Sequence, residues 1–426
     1  MFNQSGLSLD QAPPISVVFR FFLLGACFGI IAGMSLFFYQ TAIFNASSTA
    51  ALTFTHLLTL GVMLSFMFAA LFQMLPVIAG VALKSPIKRA NLLLYPFTLG
   101  IVTLLVAFNV TQPWLYNLAG ILLGFAILST VLPMLINLQK LKNHTSSSKG
   151  MLFALSALFL LVLFALYLLL SLSGTFEGSY YTEVKTAHYS FGLFGWIALL
   201  ILSISFQVIE MFYVTPAYPK AMQSYLPMVL FMVLFISSVV GFFFPLIWSV
   251  SQVLLIGLFS YYAIMTLKRL TQRKRPLTDA TVWFWRMGLV SLLLSLLFIS
   301  LQYFTVLTQL KALSYIFFAS FALSIVFAMF YKIVPFLTWF HLNSQGYFTA
   351  PMMHEVIHPK TAKKHLYIHL ATIVIFVLSL FFTPLIFLAG LLTILSFGWM
   401  AYQIIHAWRL YTHTQKTGEK FEMNIS

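Results

Sequence analysis

Apolar runs separated by short polar segments fill the chain from residue 17 to residue 408. Most runs hold about 20 or more residues, enough for a helix rising 1.5 Å per residue to cross a hydrocarbon core of about 30 Å. Twelve are read, at 17–39, 50–82, 91–109, 113–137, 150–173, 186–214, 224–246, 248–267, 281–308, 312–340, 365–384 and 386–408. Backbone amides in lipid have no water to bond, so each run has to satisfy them internally as a helix. The predicted fold class is all-α, a polytopic membrane protein of about 12 transmembrane helices forming one transmembrane domain over residues 1–426. The longest polar segments, 138–150, 173–187, 268–280 and 341–364, read as loops.

Three of the runs share a pattern. His56 to Pro76 reads HLLTLGVMLSFMFAALFQMLP, His188 to Glu210 reads HYSFGLFGWIALLILSISFQVIE, and Ser314 to Pro335 reads SYIFFASFALSIVFAMFYKIVP. Each ends in an aromatic, a polar residue, two apolar residues and a final Pro or Glu. Gln207 follows Gln73 by 134 residues, and Lys332 follows Gln207 by 125. Two copies begin with a histidine; the third has Ser314-Tyr315 there. Spans two, six and ten carry the copies, so the period is four helices, with units near 17–137, 150–267 and 281–408. Internal repetition of this kind predicts three four-helix arcs around a pseudo-threefold axis.

Charge changes the picture by orienting it. The chain is 61% hydrophobic, 7% charged and carries a net charge of +15. Basic residues gather after spans two (Lys84, Lys88, Arg89), four (Lys140, Lys142, Lys149), six (Lys220), eight (Lys268 to Arg275) and ten (Lys360, Lys363, Lys364), and in the tail. The opposite connections hold Lys185 and Lys311. This asymmetry places both termini in the cytoplasm and the protein in the cell (inner) membrane. It also accounts for the positive charge without a nucleic-acid partner; the expected partner is the lipid bilayer. The first run is too long for a signal-peptide core and reads as a retained helix. Cys27 lies in that run, has no second cysteine to pair with, and reads as a small apolar packing residue.

In this topology the repeats run from outside to inside. His56 and His188 then lie near the external surface, and Gln73, Gln207, Glu210 and Lys332 near the cytoplasmic one. Twelve spans, cytoplasmic termini, histidines heading spans two and six, and the stretch His56 to Pro76 with its Leu60-Gly61 resemble the catalytic subunit of the haem–copper oxidases and nitric oxide reductases. The chain is also similar to a twelve-helix haem- and copper-containing membrane family linked to nitric oxide stress. The resemblance implies a haem b or a copper ion on His56 and His188, and association with other respiratory-chain membrane subunits. It also implies what is missing. The oxidases take further haem ligands from the tenth helix and copper ligands from an adjacent histidine pair in the seventh. Span seven, Ser224 to Leu246, has no histidine, and His341 follows the expected end of span ten. A lone imidazole is a poor copper site. The implied protein is a divergent relative, not an active oxidase, with a redox, sensing or metal-handling role; whether it is an enzyme stays open.

Other readings compete. His56 and His188 would share one haem if their helices faced one another, or each would simply hydrogen-bond a neighbouring helix. Glu210 and Lys332, at corresponding repeat positions, would pair, line an ion or proton path, or reach the headgroups. A cofactor-free transporter or channel using that path is the main alternative, and a structural or assembly subunit of a respiratory complex is another. His354-Glu355-Val356-Ile357-His358 matches the zinc motif H-E-x-x-H, but Pro359 follows at once and the run is short. His365 and His369 share a helix face and read as interfacial beside Lys363 and Lys364. Gln73 and Gln207 read as helix–helix contacts, and Gly192 and Gly195 as sites of close helix approach. Pro76, Pro216 and Pro335 read as shaping helix ends. Tyr180, Tyr181, Trp196, Trp248, Trp283, Trp285, Trp339 and Trp408 read as an aromatic belt.

Overall fold

The computed structural model describes residues 11–275 and 278–420. Among the described residues, twelve helices are long and apolar enough to cross a membrane: α1 Ile15–Phe44, α2 Thr49–Ala79, α3 Pro86–Val110, α4 Pro113–Gln139, α5 Ser146–Leu172, α6 Tyr181–Tyr213, α7 Lys220–Val239, α8 Pro245–Thr271, α9 Ala280–Leu301, α10 Gln309–Ser344, α11 Pro359–Ser379 and α12 Leu385–Thr417. The chain is an all-α, multi-pass integral membrane protein.

The helices start and stop where side chains satisfy their end groups. Ser48 Oγ accepts from the Ala51 amide at 3.0 Å to open α2, and Thr145 Oγ1 accepts from the Ser148 amide at 3.1 Å to open α5. Such caps serve the unpaired amides of a first turn. Pro86, Pro113, Pro245 and Pro359 occupy first-turn positions, where a missing N–H costs nothing. Gly174, at φ +70°, lets α5 close in a left-handed turn, with the Thr175 amide on the Leu170 carbonyl at 3.1 Å.

Several bounds differ from the sequence reading. α9 ends at Leu301, not 308. The apolar run continues beyond it, but Phe304 and Val306 are 84% and 98% exposed in the turn that follows. Hydropathy cannot tell a helix end from an apolar rim. α10 runs on to Ser344, so His341 lies on the helix and Pro335 in its interior rather than at its end. Neighbouring helices re-satisfy the backbone freed by such a proline. α11 starts at Pro359, six residues before the expected start. Trp196 and Trp285 are fully buried and form no belt. Cys27 is exposed on α1 rather than packed.

The described residues group into two compact units, one of 11–12, 71–275 and 292–304, the other of 13–70, 278–291 and 305–420. In the first, Gly150 on α5 lies against Ser203 on α6, and Phe191 meets Phe164 and Phe231 edge-on. In the second, α1 and α12 approach backbone to backbone. A Cβ on Gly33 would lie 2.8 Å from the Gly390 carbonyl oxygen, and one on Gly390 would lie 2.9 Å from that of Gly33. Small residues permit this in a membrane, where dispersion between helices replaces the hydrophobic effect. Next to that contact, Leu36, Ile43, Ala50, Ile386 and Ala389 form an apolar cluster that takes in Phe54, two residues before His56.

Candidate functional site

His56 closes the α-helical head of α2, Thr49–His56, and the next eight residues, Leu57–Leu64, wind as a π-helix before α geometry resumes at Ser65. π segments bond i→i+5, are rare, and cluster at functional sites. His56 Nδ1 lies 2.8 Å from the Leu52 carbonyl oxygen. A carbonyl oxygen only accepts, so Nδ1 carries the proton and, in the neutral ring, Nε2 carries the lone pair. A metal-binding imidazole is held in the same tautomer, one nitrogen donating to a carbonyl and the other ligating. The ring is half-buried. Within the π segment, Gly61 sits against Phe28, which a Cβ would meet at 2.8 Å.

His188 occupies the last turn of Tyr181–Ser190, also half-buried, and a second eight-residue π segment follows at Phe191–Ala198. The two π segments are 134 residues apart, as are Gln73 and Gln207. His188 follows His56 by only 132, so it stands two residues out of register with its own π segment. Two residues turn a helix by about 200°, and the two histidines are therefore not equivalent relative to the segments they precede. Gly195 supports close approach, since a Cβ would lie 3.0 Å from Ala157 Cβ. Gly192 has ordinary clearance, 3.6 Å from Leu161. The third copy has neither feature. α10 is α-helical throughout, and Ser314 Oγ donates to its own helix at the Lys311 carbonyl.

The charged candidates each have a definite setting. Glu210 Oε1 accepts from the Tyr218 amide at 2.9 Å and from Gln223 Nε2 at 3.2 Å. Gln223 Nε2 also donates to the Tyr218 carbonyl, and the Tyr218 hydroxyl donates to Thr266 Oγ1 at 3.1 Å. Glu210 thereby fastens the loop between α6 and α7, and burial there pushes the Tyr218 phenol up. Lys332 Nζ bonds Asp279 Oδ2 at 2.7 Å, with the two side chains 20% and 44% exposed. Asp279 also opens α9, accepting from Thr281 Oγ1 and the Val282 amide. Burial alone would raise the Asp279 carboxyl; the Lys332 ammonium and these donors outweigh it and hold the group below its ordinary range. Gln73 Oε1 is buried without a donor.

The H-E-x-x-H stretch does not form the helix its zinc reading needs. Met353–Val356 is a single turn, and Ile357 is extended at φ −135°, ψ 111°. Glu355 Oε2 accepts from the Met352 amide at 2.7 Å, and His358 Nδ1 accepts from the Lys360 amide at 3.1 Å to cap α11. His354 and His358 therefore do not share a helix face.

The largest departure from the sequence reading is at His365 and His369. Both are buried, not interfacial. His365 Nδ1 meets the Tyr331 hydroxyl at 2.9 Å and its Nε2 meets Ser396 Oγ at 2.7 Å. His369 Nε2 meets Ser324 Oγ at 2.9 Å. The Phe327 ring lies 4.6 Å from one imidazole and 4.9 Å from the other, centroid to centroid. The early start of α11 carries these residues about 9 and 15 Å along the helix from Pro359. The signal available was the four-residue spacing of the histidines, matched by Ser320, Ser324 and Tyr331 on one face of α10.

Among the described residues, no three His, Cys, Asp or Glu side chains converge as a metal site. No protein-family model matches the chain, and no curated protein matches it.

Proposed function

We propose that this chain is a divergent haem–copper-oxidase-like membrane protein that holds a b-type haem through His56, with His188 as the second candidate ligand. Its role would be redox, sensing or metal handling rather than oxygen reduction at a haem–copper centre. The observation that carries this reading is His56 itself: an imidazole fixed by the Leu52 carbonyl with its lone pair on Nε2, at the junction where α2 turns from α to π geometry. Haem suits the donor set better than copper. The porphyrin brings four nitrogens, so one imidazole suffices, whereas a copper ion needs several protein ligands. When bound, haem supplies one-electron transfer or the binding of a small gas. The chain's own part is to keep the Nδ1 proton on Leu52 and to surround that turn with apolar side chains such as those clustered at Phe54. The basic loops support cytoplasmic termini in the cell (inner) membrane, and respiratory membrane subunits are the partners this reading implies.

The test is the haem and copper content of the purified protein. About one haem per chain is expected for an axially ligated site, and His56→Ala should lower it at least ten-fold with helicity unchanged. A folded protein with neither haem nor copper overturns the reading. Proton or solute flux, tested with Glu210→Gln and Lys332→Met, would then decide for a transporter, and a co-purifying complex for an assembly subunit.

A further inference from the structure

The second compact unit holds a column of polar side chains that a haem on His56 does not use. Along α10, Tyr331, Ser324 and Ser320 lie seven and four residues apart and so share a face. Each makes a hydrogen bond to another helix. Tyr331 joins His365 on α11, which joins Ser396 on α12. Ser324 joins His369 on α11 at 2.9 Å. Ser320 joins Ser291 on α9, oxygen to oxygen at 2.8 Å. The rungs rise about 10 and then 6 Å along the helix. At the foot of the column, Lys332 follows Tyr331 in sequence and is paired with the half-exposed Asp279 at the start of α9. The column thus starts at the charged end of these helices and climbs toward the middle of the span.

Burying polar groups in a membrane is costly, and intramembrane histidines commonly sit on proton paths. What distinguishes His365 is that both ring nitrogens are bonded, on opposite sides, to groups that donate and accept equally well. Any buried imidazole needs a partner at each nitrogen; here both partners are hydroxyls, which can exchange donor and acceptor roles. A hydroxyl–imidazole–hydroxyl chain is the arrangement that lets a proton enter at one nitrogen and leave at the other. The groups packed around the imidazole pair are Tyr331 and Ser324 from α10, Ser396 from α12, and the rings of Phe284 from α9 and Phe327 from α10. Lys363 and Lys364 precede His365 at exposed positions of α11, and the Lys332–Asp279 pair lies at the foot.

We propose that His365 is a buried proton carrier, loaded through the Tyr331 hydroxyl from the membrane face that bears the Lys332–Asp279 pair. In the loading step the Tyr331 O–H bond breaks as the His365 Nδ1–H bond forms. The Tyr331 oxygen regains a proton from a hydronium ion at that face, which leaves as water, and the imidazole holds one proton and one positive charge more than before. Return of the proton reverses each bond.

The test is side-chain hydrogen exchange of the full-length protein in lipid bilayers, followed by solid-state NMR with ¹⁵N-labelled histidine after transfer to D₂O. The His365 ring proton is expected to exchange at least ten-fold faster than the backbone amides of its own helix turn. Tyr331→Phe, which keeps the ring and removes the hydroxyl, should slow it at least ten-fold. Ser396→Ala, beyond the imidazole, should leave it within two-fold. A wild-type ring proton as protected as the neighbouring amides overturns the proposal, and this arm decides alone should Tyr331→Phe fail to fold. Slowing by Ser396→Ala with none by Tyr331→Phe also overturns it, because the proton would then arrive from the other side.

Discussion

Copies of one sequence pattern have come to different ends in α2 and α10. In α2 a histidine stands at the head, its proton fixed on Leu52, and a π segment follows. In α10 the head carries Ser314, bonded to its own helix, and the winding is α throughout. The polar residues of α10 lie along its length and are spent on neighbouring helices, at Ser320, Ser324, Tyr331 and Lys332. The first arrangement sets an imidazole, held by its own helix, beside irregular backbone; the second joins its polar groups to neighbouring helices. A shared pattern at the helix end, Phe-Gln-Met-Leu-Pro against Tyr-Lys-Ile-Val-Pro, does not carry a shared chemistry.

The sharpest way to break this comparison is between the two histidine-headed copies. His188 stands two residues out of register, so haem retention should differ between the variants. His56→Ala should lose at least ten-fold of the haem, and His188→Ala should retain several times more than His56→Ala. Equal losses would show the register difference to be without consequence. Next in size are the π segments. Gly61→Leu forces a side chain into Phe28 and should cost about 3 kcal/mol, the upper range of overpacking. Gly192→Ala, with 3.6 Å of clearance, should change the thermal midpoint in detergent hardly at all. His365→Ala leaves the Tyr331 and Ser396 hydroxyls short of a partner and should cost about 2 kcal/mol on the same measurement.

A smaller effect than at His365 is expected at the foot of α10. The Lys332–Asp279 pair is partly exposed and screened, so Asp279→Asn should cost about 0.5 kcal/mol at neutral pH. The Asp279 carboxyl is held low, so its folded form binds a proton less readily than its unfolded form. Its contribution is therefore complete above the ordinary carboxylate value of about 3.9 and is lost as pH falls through the lower, folded value. The midpoint difference between wild type and Asp279→Asn should close on acidification below pH 4. A difference that widens there would contradict the assigned shift.

Much of the fold was legible because hydropathy and length alone demand helices, and twelve runs became twelve helices. His56 and His188 were legible because the repeat isolates them. The π segments were not, since a change from i→i+4 to i→i+5 bonding leaves no trace in composition. The burial of His365 was hidden by its neighbours. Lys360, Lys363 and Lys364 make the first turns of α11 look like a loop, yet they occupy exposed positions of a helix whose other face is packed. The Asp279–Lys332 pair spans 53 residues and two helices, a separation at which sequence offers no pairing rule.

The measurement that bears most directly on the account is the dithionite-reduced minus oxidised visible spectrum of the wild-type protein, purified in detergent. A Soret shift with sharp reduced α and β bands, abolished in His56→Ala, is the predicted result. A flat difference spectrum from folded, haem-supplied wild-type protein would contradict it.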